Sequence, residues 1–418
     1  MNRIVVWLVN EAENIPGDDN NPRLQRMGLL AYELAKFDVD IVWWHSTFNH
    51  NAKKFRCHED VDRKLLPNME LRLIHSCGYK KNVCIKRLRH EYITAKHFYK
   101  RASKEKKPAI IVVATPTIAS AYYATKYAHD NGIPVLVDAR DLQPDVYLNP
   151  FDGFVKQIVR LGIKPIQHIL SISLKRATGI IGTTEPYLNW ALNYAKRKRS
   201  DNDRVFFVSY PDSGIKTSID PASKWLKYKE NDGLVCCFFG QFGKLVDFDV
   251  LIKAAEKCMK NNIKVSFLLC GQGELLEHYK KEKEAHNLNN VFFPGWVNKT
   301  DISDIGFISD IGLLAYKKDD NFEMQMPNKF SEYLSLGLAI MLQPTGIMKT
   351  VIENNHCGIQ YNNSDELYST LKSLTDDRLS LEIMKKNSRA LFEKSFSAEK
   401  VYKEYSEFII SMAEESQR

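Results

Sequence analysis

The stretch AIIVVATPTIASAYYATKYAHDNGIPVLVDARD, Ala109 to Asp141, decides the fold. Its opening run, Ala109–Ala114, is continuously apolar, which suits a strand covered on both faces. Ala119–Asn131 then reads as a helix and Pro134–Asp138 as a second strand. Alternation of this kind indicates α/β architecture with parallel sheets. The pattern extends outward in both directions. Toward the N-terminus, strands are expected at Ile4–Val9, Val39–Trp44 and Leu71–His75, with a helix at Arg23–Lys36. Toward the C-terminus they are expected at Gly179–Gly182 and Val205–Val208. The alternation pauses in SYPDSGIKTSIDPASKWLKYKENDG, Ser209 to Gly233, a polar stretch with two prolines and two glycines that reads as a domain boundary. A second series follows. Its strands are expected at Leu234–Phe239, Lys264–Cys270, Val291–Phe293, Ile311–Ala315 and Ala339–Leu342. Its helices are expected at Val246–Asn261, Glu274–His286, Asn328–Leu336 and Met348–Asn354, and the last 40 residues read as helical throughout.

A chain of 418 residues is too long for one core, so two domains are expected, 1–212 and 213–396. With 44% hydrophobic and 26% charged residues the composition is that of a globular protein, not a disordered or fibrous one. No run of 18 apolar residues occurs, so no transmembrane helix is expected. The opening MNRIVVWLVNEAEN lacks a cleavage site and reads as a strand rather than a signal peptide. The eight cysteines form no CxxC or zinc-ligand spacing, which fits free thiols in a reducing cytoplasm. Net charge is +8, and the excess is concentrated: Lys80 to Lys107 holds eleven cations and two acids.

The motifs that carry chemistry lie mostly in the second half. In NKFSEYLSLGLAIMLQPTG, Asn328 to Gly346, Lys329 and Glu332 share one helical face. A carboxylate there can accept both hydroxyls of a ribose, and a lysine can neutralise a diphosphate. On spacing alone the pair also reads as a surface salt bridge. The helix that begins near Gly346 offers free N–H groups to an anion. FFGQFGK (Phe238–Lys244) and LLCGQGE (Leu268–Glu274) each place glycines directly after an apolar strand, where ligands bind in open α/β sheets or the backbone turns tightly. Neither is a P-loop, because no GK[ST] follows. In FFPGWVNKTD, Phe292 to Asp301, Trp296 either holds a flat base or packs in a turn.

In the first half, VLVDARDLQPD (Val135–Asp145) gathers Asp138, Arg140 and Asp141 at a strand's C-terminal end, either to steer an acceptor hydroxyl or to tie the loop down. VNEAENIPGDDNNPRLQRM is long for a strand-to-helix connection, and WWHSTFNHNAKKFR adds His45, His50, Lys53, Lys54 and Arg56 as a candidate wall of an acceptor site. DxD triplets occur at Asp38/Asp40, Asp60/Asp62, Asp201/Asp203 and Asp247/Asp249. None follows an apolar strand directly, so no catalytic metal is expected. The basic stretch mixes its cations with Tyr79, Tyr92, Phe98 and Tyr99, and Phe151–Arg176 intersperses cations among apolar residues. Together they suit a membrane surface, the second as an interfacial helix pair broken at Pro165; a solvated helix and a core helix are the alternative. No nucleic-acid recognition motif accompanies the charge, so no nucleic-acid partner is expected.

Taken together, STFNHNAKKFR, VDARDLQPD, CGQGE, FPGWV, PNKFSEYLSLGLAI and the closing SRALFEKSFSAEKVYKEYSEF resemble the retaining, metal-independent glycosyltransferases of the GT-B fold, family four (group 1). The likeness covers essentially the whole chain and is greatest to the bacterial O-antigen, capsule and colanic-acid branch, which includes L-fucosamine transferases. It implies two Rossmann-like domains facing across a cleft, with the terminal helices, 397–418, packing back on the first. It implies a nucleotide-sugar donor, with a lean to uridine, and a glycan or lipid-diphosphate-linked acceptor. It places the protein in the cytoplasm, peripheral at the inner face of the plasma membrane, working without a cofactor. In the family's E-x7-E element Glu332 matches the second glutamate and Met324 falls at the first, so this chain departs from the full element; Glu323 is adjacent and expected to face elsewhere. The donor-binding set the resemblance implies is Gly240, Gln241, Lys244, Gly271, Gly273, Trp296, Val297, Asn328, Lys329, Glu332, Thr345 and Gly346. Lys329, Glu332 and Asp141 are the candidate catalytic residues, with Asp138, Arg140 and His50 on the acceptor side. A nucleotide-sugar 2-epimerase and a catalytically silent scaffold that binds a membrane or partner are the rival readings.

Overall fold

Residues of the run Ala109–Ala114 alternate between two cores: Ile111 and Val113 belong to one, Ile110, Val112 and Ala114 to the other. The first strand behaves in the same way, with Trp7 and Val9 facing one side and Val6 and Leu8 the other. Strict alternation with both faces apolar is what a helix-covered parallel sheet requires. The computed structural model describes residues 3–19, 23–82, 84–212, 214–230 and 232–417. Asn20, Asn21 and Pro22 of the long first loop, Val83 of the basic stretch, and Ser213 and Asn231 of the boundary stretch lie outside the described residues, as do Met1, Asn2 and Arg418.

The chain forms two units, Met1–Phe207 with Ala398–Arg418, and Val208–Ser397. The first holds β1 (Ile4–Val9), α1 (Arg26–Leu34), β2 (Val39–Ser46), β3 (Phe48–Asn49), β4 (Lys54–Phe55), β5 (Val61–Leu66), β6 (Met69–Ile74), α2 (Ile85–Ala102), β7 (Ile110–Ala114), α3 (Ile118–Asn131), β8 (Val135–Ala139), α4 (Gly153–Arg176), β9 (Gly179–Gly182), α5 (Glu185–Ala195) and β10 (Arg204–Val205). Its sheet runs β10-β9-β8-β7-β1-β2-β6-β5, parallel except for the β5–β6 hairpin. Helices α2 to α5 cover one face; α1 and the C-terminal helix cover the other.

The second unit holds β11 (Leu234–Gln241), α6 (Phe248–Lys260), β12 (Val265–Gln272), α7 (Leu276–Ala285), β13 (Val291–Gly295), α8 (Lys299–Ile308), β14 (Ile311–Leu314), α9 (Asp320–Met324), α10 (Asn328–Ser335), β15 (Ala339–Leu342), α11 (Ile347–Asn354), β16 (Gly358–Gln360), α12 (Ser364–Asp376) and α13 (Arg378–Leu391). Its sheet is wholly parallel, in the order β13-β12-β11-β14-β15-β16. The last helix, α14 (Ala398–Glu415), belongs to the first unit, where Tyr402, Tyr405 and Ile409 pack with Met27 and Leu30 of α1.

Three expectations need correction. Pro165 does not break its segment into a helix pair; α4 is continuous through it. Proline removes one hydrogen bond to the preceding turn, and the residue left without that donor, Leu161, lies on an exposed part of the helix. The C-terminal region is not helical throughout, because a wide turn at Phe392–Phe396 and extended Ser397 separate α13 from α14. The expected strand at Val205–Val208 is only the two-residue β10, since the next backbone carbonyls, of Phe206 and Phe207, accept from Arg26 rather than from a neighbouring strand.

Candidate functional site

In the second unit the chain crosses from β11 to β12 and β13 on one side and to β14, β15 and β16 on the other. The crevice beyond the C-terminal ends of β11 and β14 is therefore the topological switch point, the ligand-binding position of open α/β sheets. The two strands pair only at Cys236–Ile311 and Cys237–Gly312. Beyond that they are stitched by the Tyr333 hydroxyl, which accepts from the Phe239 N–H at 3.2 Å and donates to the Leu313 carbonyl at 3.4 Å.

Lys329, in the first turn of α10, brings its ammonium to this crevice. Its Nζ lies 4.2 Å from the Phe238 ring centroid and 5.3 Å from that of Tyr316. Burial pushes its pKa down to about 8, and Glu332 opposes the shift through its charge. Glu332, one turn deeper, is only 6% exposed. The pair is thus not the surface salt bridge that spacing permitted.

The glycines at the C-terminal ends of β11 and β12 have steric reasons to be glycine. A Cβ on Gly240 would collide with the end of the Lys329 side chain. One on Gly271 would collide with the Gly240 carbonyl, and one on Gly273 with the Phe242 backbone. The Phe242 N–H donates to the Gln272 carbonyl, locking the two loops together. Around them Gln241, Lys244 and Asn328 are exposed, Val297 is half-buried, and Trp296 is 68% exposed.

Thr345 and Gly346 lead into α11, and Glu323 does not face elsewhere: its carboxylate accepts from the Thr345 N–H at 3.0 Å and the Thr345 hydroxyl at 2.9 Å. Phe322, beside it, stacks on Tyr316 at 4.1 Å. Sequence reading missed this contact because 22 residues separate the partners in the chain. Among the described residues no three His, Cys, Asp or Glu side chains gather as a metal-holding group. The DxD pair that opens α6 is already engaged, Asp247 by Gln343 and Asp249 by Tyr279.

In the first unit the switch point lies between β1 and β7. Asp138 is 0% exposed and cannot touch an acceptor. Burial alone would raise its pKa, but Arg140 and Arg26 hold the carboxyl below the usual range. Arg26 pairs with it at 2.9 Å, and Arg140 pairs with both Asp138 and Glu13. Asp138 and Arg140 are thereby corrected from acceptor contacts to a buried ion network. Asp141 is half-buried, accepts from Gln143 at 3.2 Å, and has its pKa raised by burial. His50 is hydrogen-bonded to the Tyr79 hydroxyl and pushed down to about 4 by burial and by Lys53, so it is neutral near pH 7.

Sequence reading also missed Glu11, just past β1. It is buried, accepts from Ser120 of α3 at 2.9 Å, and is raised to about 8 by burial and by Glu91. Glu91 in turn pairs with Arg87 at 2.7 Å. The acidic loop after β1 was the available signal, but only the β1–β7 adjacency reveals the partners.

The family profile Glycosyl transferases group 1 matches residues 223–391. No curated protein sequence matches the chain. Solved structures similar to it include Alr3699/HepE from Anabaena in complex with UDP, with TM-score 0.67 and 13% identity over 98% of this chain and 100% of that one. Sucrose-phosphate synthase from Thermosynechococcus elongatus gives TM-score 0.72 and 11% identity over 98% and 99%. An E. coli structure described as trehalose-6-phosphate bound with UDP-2-fluoro glucose gives TM-score 0.69 and 11% identity over 99% of each chain.

Proposed function

We propose, from the premise that residues 223–391 carry a group 1 glycosyltransferase domain and the chain is a glycosyltransferase, that it moves a sugar from a UDP-sugar to a glycan or lipid-diphosphate-linked acceptor in bacterial surface-polysaccharide synthesis, with retention and without a metal. The observation that carries the reading is the Lys329 ammonium held at the β11 switch point, with buried Glu332 one turn behind it. Lys329 neutralises the donor's diphosphate, the Thr345–Gly346 turn donates N–H groups to it, and Glu332 grips the ribose. Trp296 and Val297 border the base. Solved structures of similar fold contain UDP or a UDP-sugar, which favours uridine.

In the reaction the acceptor oxygen bonds to the anomeric carbon on the face the diphosphate leaves. The bond from that carbon to the phosphate oxygen breaks, and its electron pair and the hydroxyl proton end on the diphosphate. Fixed cationic charge aimed at the developing negative charge is the main source of rate. Asp141 is the acceptor-steering acid of this reading.

Membrane association rests on the first unit's surface. Ile85 is 84% and Phe154 80% exposed, and Leu88, Val155, Ile158 and Leu161 are exposed with them. Lys86, Arg89, Arg160 and Lys164 are exposed on the same two helices. Apolar residues that insert beside cations that meet lipid phosphates suit an anionic bilayer surface. No helix among the described residues is long and apolar enough to cross a membrane.

The test is calorimetric titration with UDP, with transfer assayed in chelator. Glu332→Ala is expected to weaken UDP binding by about 2 kcal/mol or more, the cost of losing hydrogen bonds to a charged group. Normal affinity and turnover in that variant would discard the assignment. Turnover of a UDP-sugar without any acceptor would favour the epimerase, and abolition of transfer by chelator would reject metal independence.

A further inference from the structure

The Thr345–Gly346 turn, assigned above to the donor's phosphates, already holds an anion of the protein's own. Glu323 Oε1 accepts from the Thr345 N–H at 3.0 Å and Oε2 from the Thr345 hydroxyl at 2.9 Å. The approach is close: a Cβ on Gly346 would collide with the Glu323 carbonyl, so the end of α9 is pressed against the start of α11. A carboxylate that bridges an amide and a hydroxyl at a helix N-terminus uses the same donors and the same dipole end that favour a phosphate oxygen. The segment is also coupled to the ammonium. Phe322 stacks on Tyr316 with ring planes 15° apart, and Lys329 Nζ lies over that same Tyr316 ring.

We propose that Glu323 determines donor affinity and specificity: its carboxylate occupies the phosphate position at Thr345, and a nucleoside diphosphate binds by displacing it. This rests on the donor reading of the turn. Two anions cannot share one amide and one hydroxyl, so the incoming phosphate must replace both hydrogen bonds. A ligand without a phosphate that reaches Thr345 leaves Glu323 in place and gains nothing from the turn. Glu323 thereby narrows the margin by which a diphosphate outbinds the bare nucleoside. It also lowers the affinity for the diphosphate below what the turn alone would give.

The test is calorimetric titration of the full chain and of its Glu323→Gln and Glu323→Ala forms with UDP and with uridine. Glutamine keeps the size and removes the charge; alanine removes both hydrogen bonds. The UDP dissociation constant is expected to fall about tenfold in both variants, equivalent to about 1.4 kcal/mol, with uridine binding unchanged. UDP binding that is unchanged or weaker in both variants would overturn the competition while leaving the donor reading intact. If the unmodified chain binds no UDP, the donor reading fails first and this inference with it.

Discussion

Burial makes the charge on Lys329 conditional. Its pKa of about 8 lies below the ordinary lysine value because the ammonium sits over two rings and out of water. A lysine depressed on folding contributes stability that is present above its unfolded pKa and lost as pH falls through the folded value. Keeping it charged near neutrality therefore costs stability, which a bound diphosphate offsets. The expected outcome is a UDP dissociation constant that is flat below about pH 8 and rises roughly tenfold per unit above it, as one titrating group requires. Lys329→Met should bind weakly with no such bend, and titration calorimetry across that range checks both. Lys329 and Glu332 were legible as partners on one helical face because a helix sets its own periodicity. Glu323 and Glu11 were not, because their partners Thr345 and Ser120 lie on other elements.

Among the elements, α4 places its apolar residues in two environments. Its first half leaves Phe154, Val155, Ile158 and Leu161 in solvent, while Leu170 and Leu174 of its second half are buried in the core. The apolar pattern, which in the sequence suits a membrane surface or, alternatively, a core, is thus divided along one helix between solvent and core. Phe154→Ser with Ile158→Ser is expected to lower partition onto vesicles containing anionic lipid by at least tenfold, since each buried side chain contributes about 1.5–3 kcal/mol. Sedimentation with vesicles measures this, and an unchanged bound fraction would reject the surface. Element type was readable where faces were wholly apolar, as in β7. The antiparallel strand β5 escaped because VDRKLL carries three consecutive charged residues, Asp62, Arg63 and Lys64, at a sheet edge, where one face meets water.

At the scale of the whole molecule, the chain's last helix completes a core begun at its first strand. Tyr405 of α14 is fully buried, stacks on Phe206 at 4.4 Å and lies under the Arg26 guanidinium. Tyr405→Ala is expected to cost about 3–5 kcal/mol in the first unit, the range for deleting a buried aromatic. Calorimetric scanning should show that unit's transition move to lower temperature, and an unmoved transition would contradict the packing described. The sequence by itself determined that this is an α/β protein of parallel sheets, since runs such as Ala109–Ala114 are stable only between two apolar layers. It also placed Lys329 and Glu332 on one helical turn. Only the tertiary structure decided that Asp138 and Arg140 hold the protein together, that Pro165 sits within a single helix, and that Glu323 occupies the turn at Thr345. These depend on which distant side chains meet and on how much water is excluded where they do, and neither is a property of neighbouring residues in the chain.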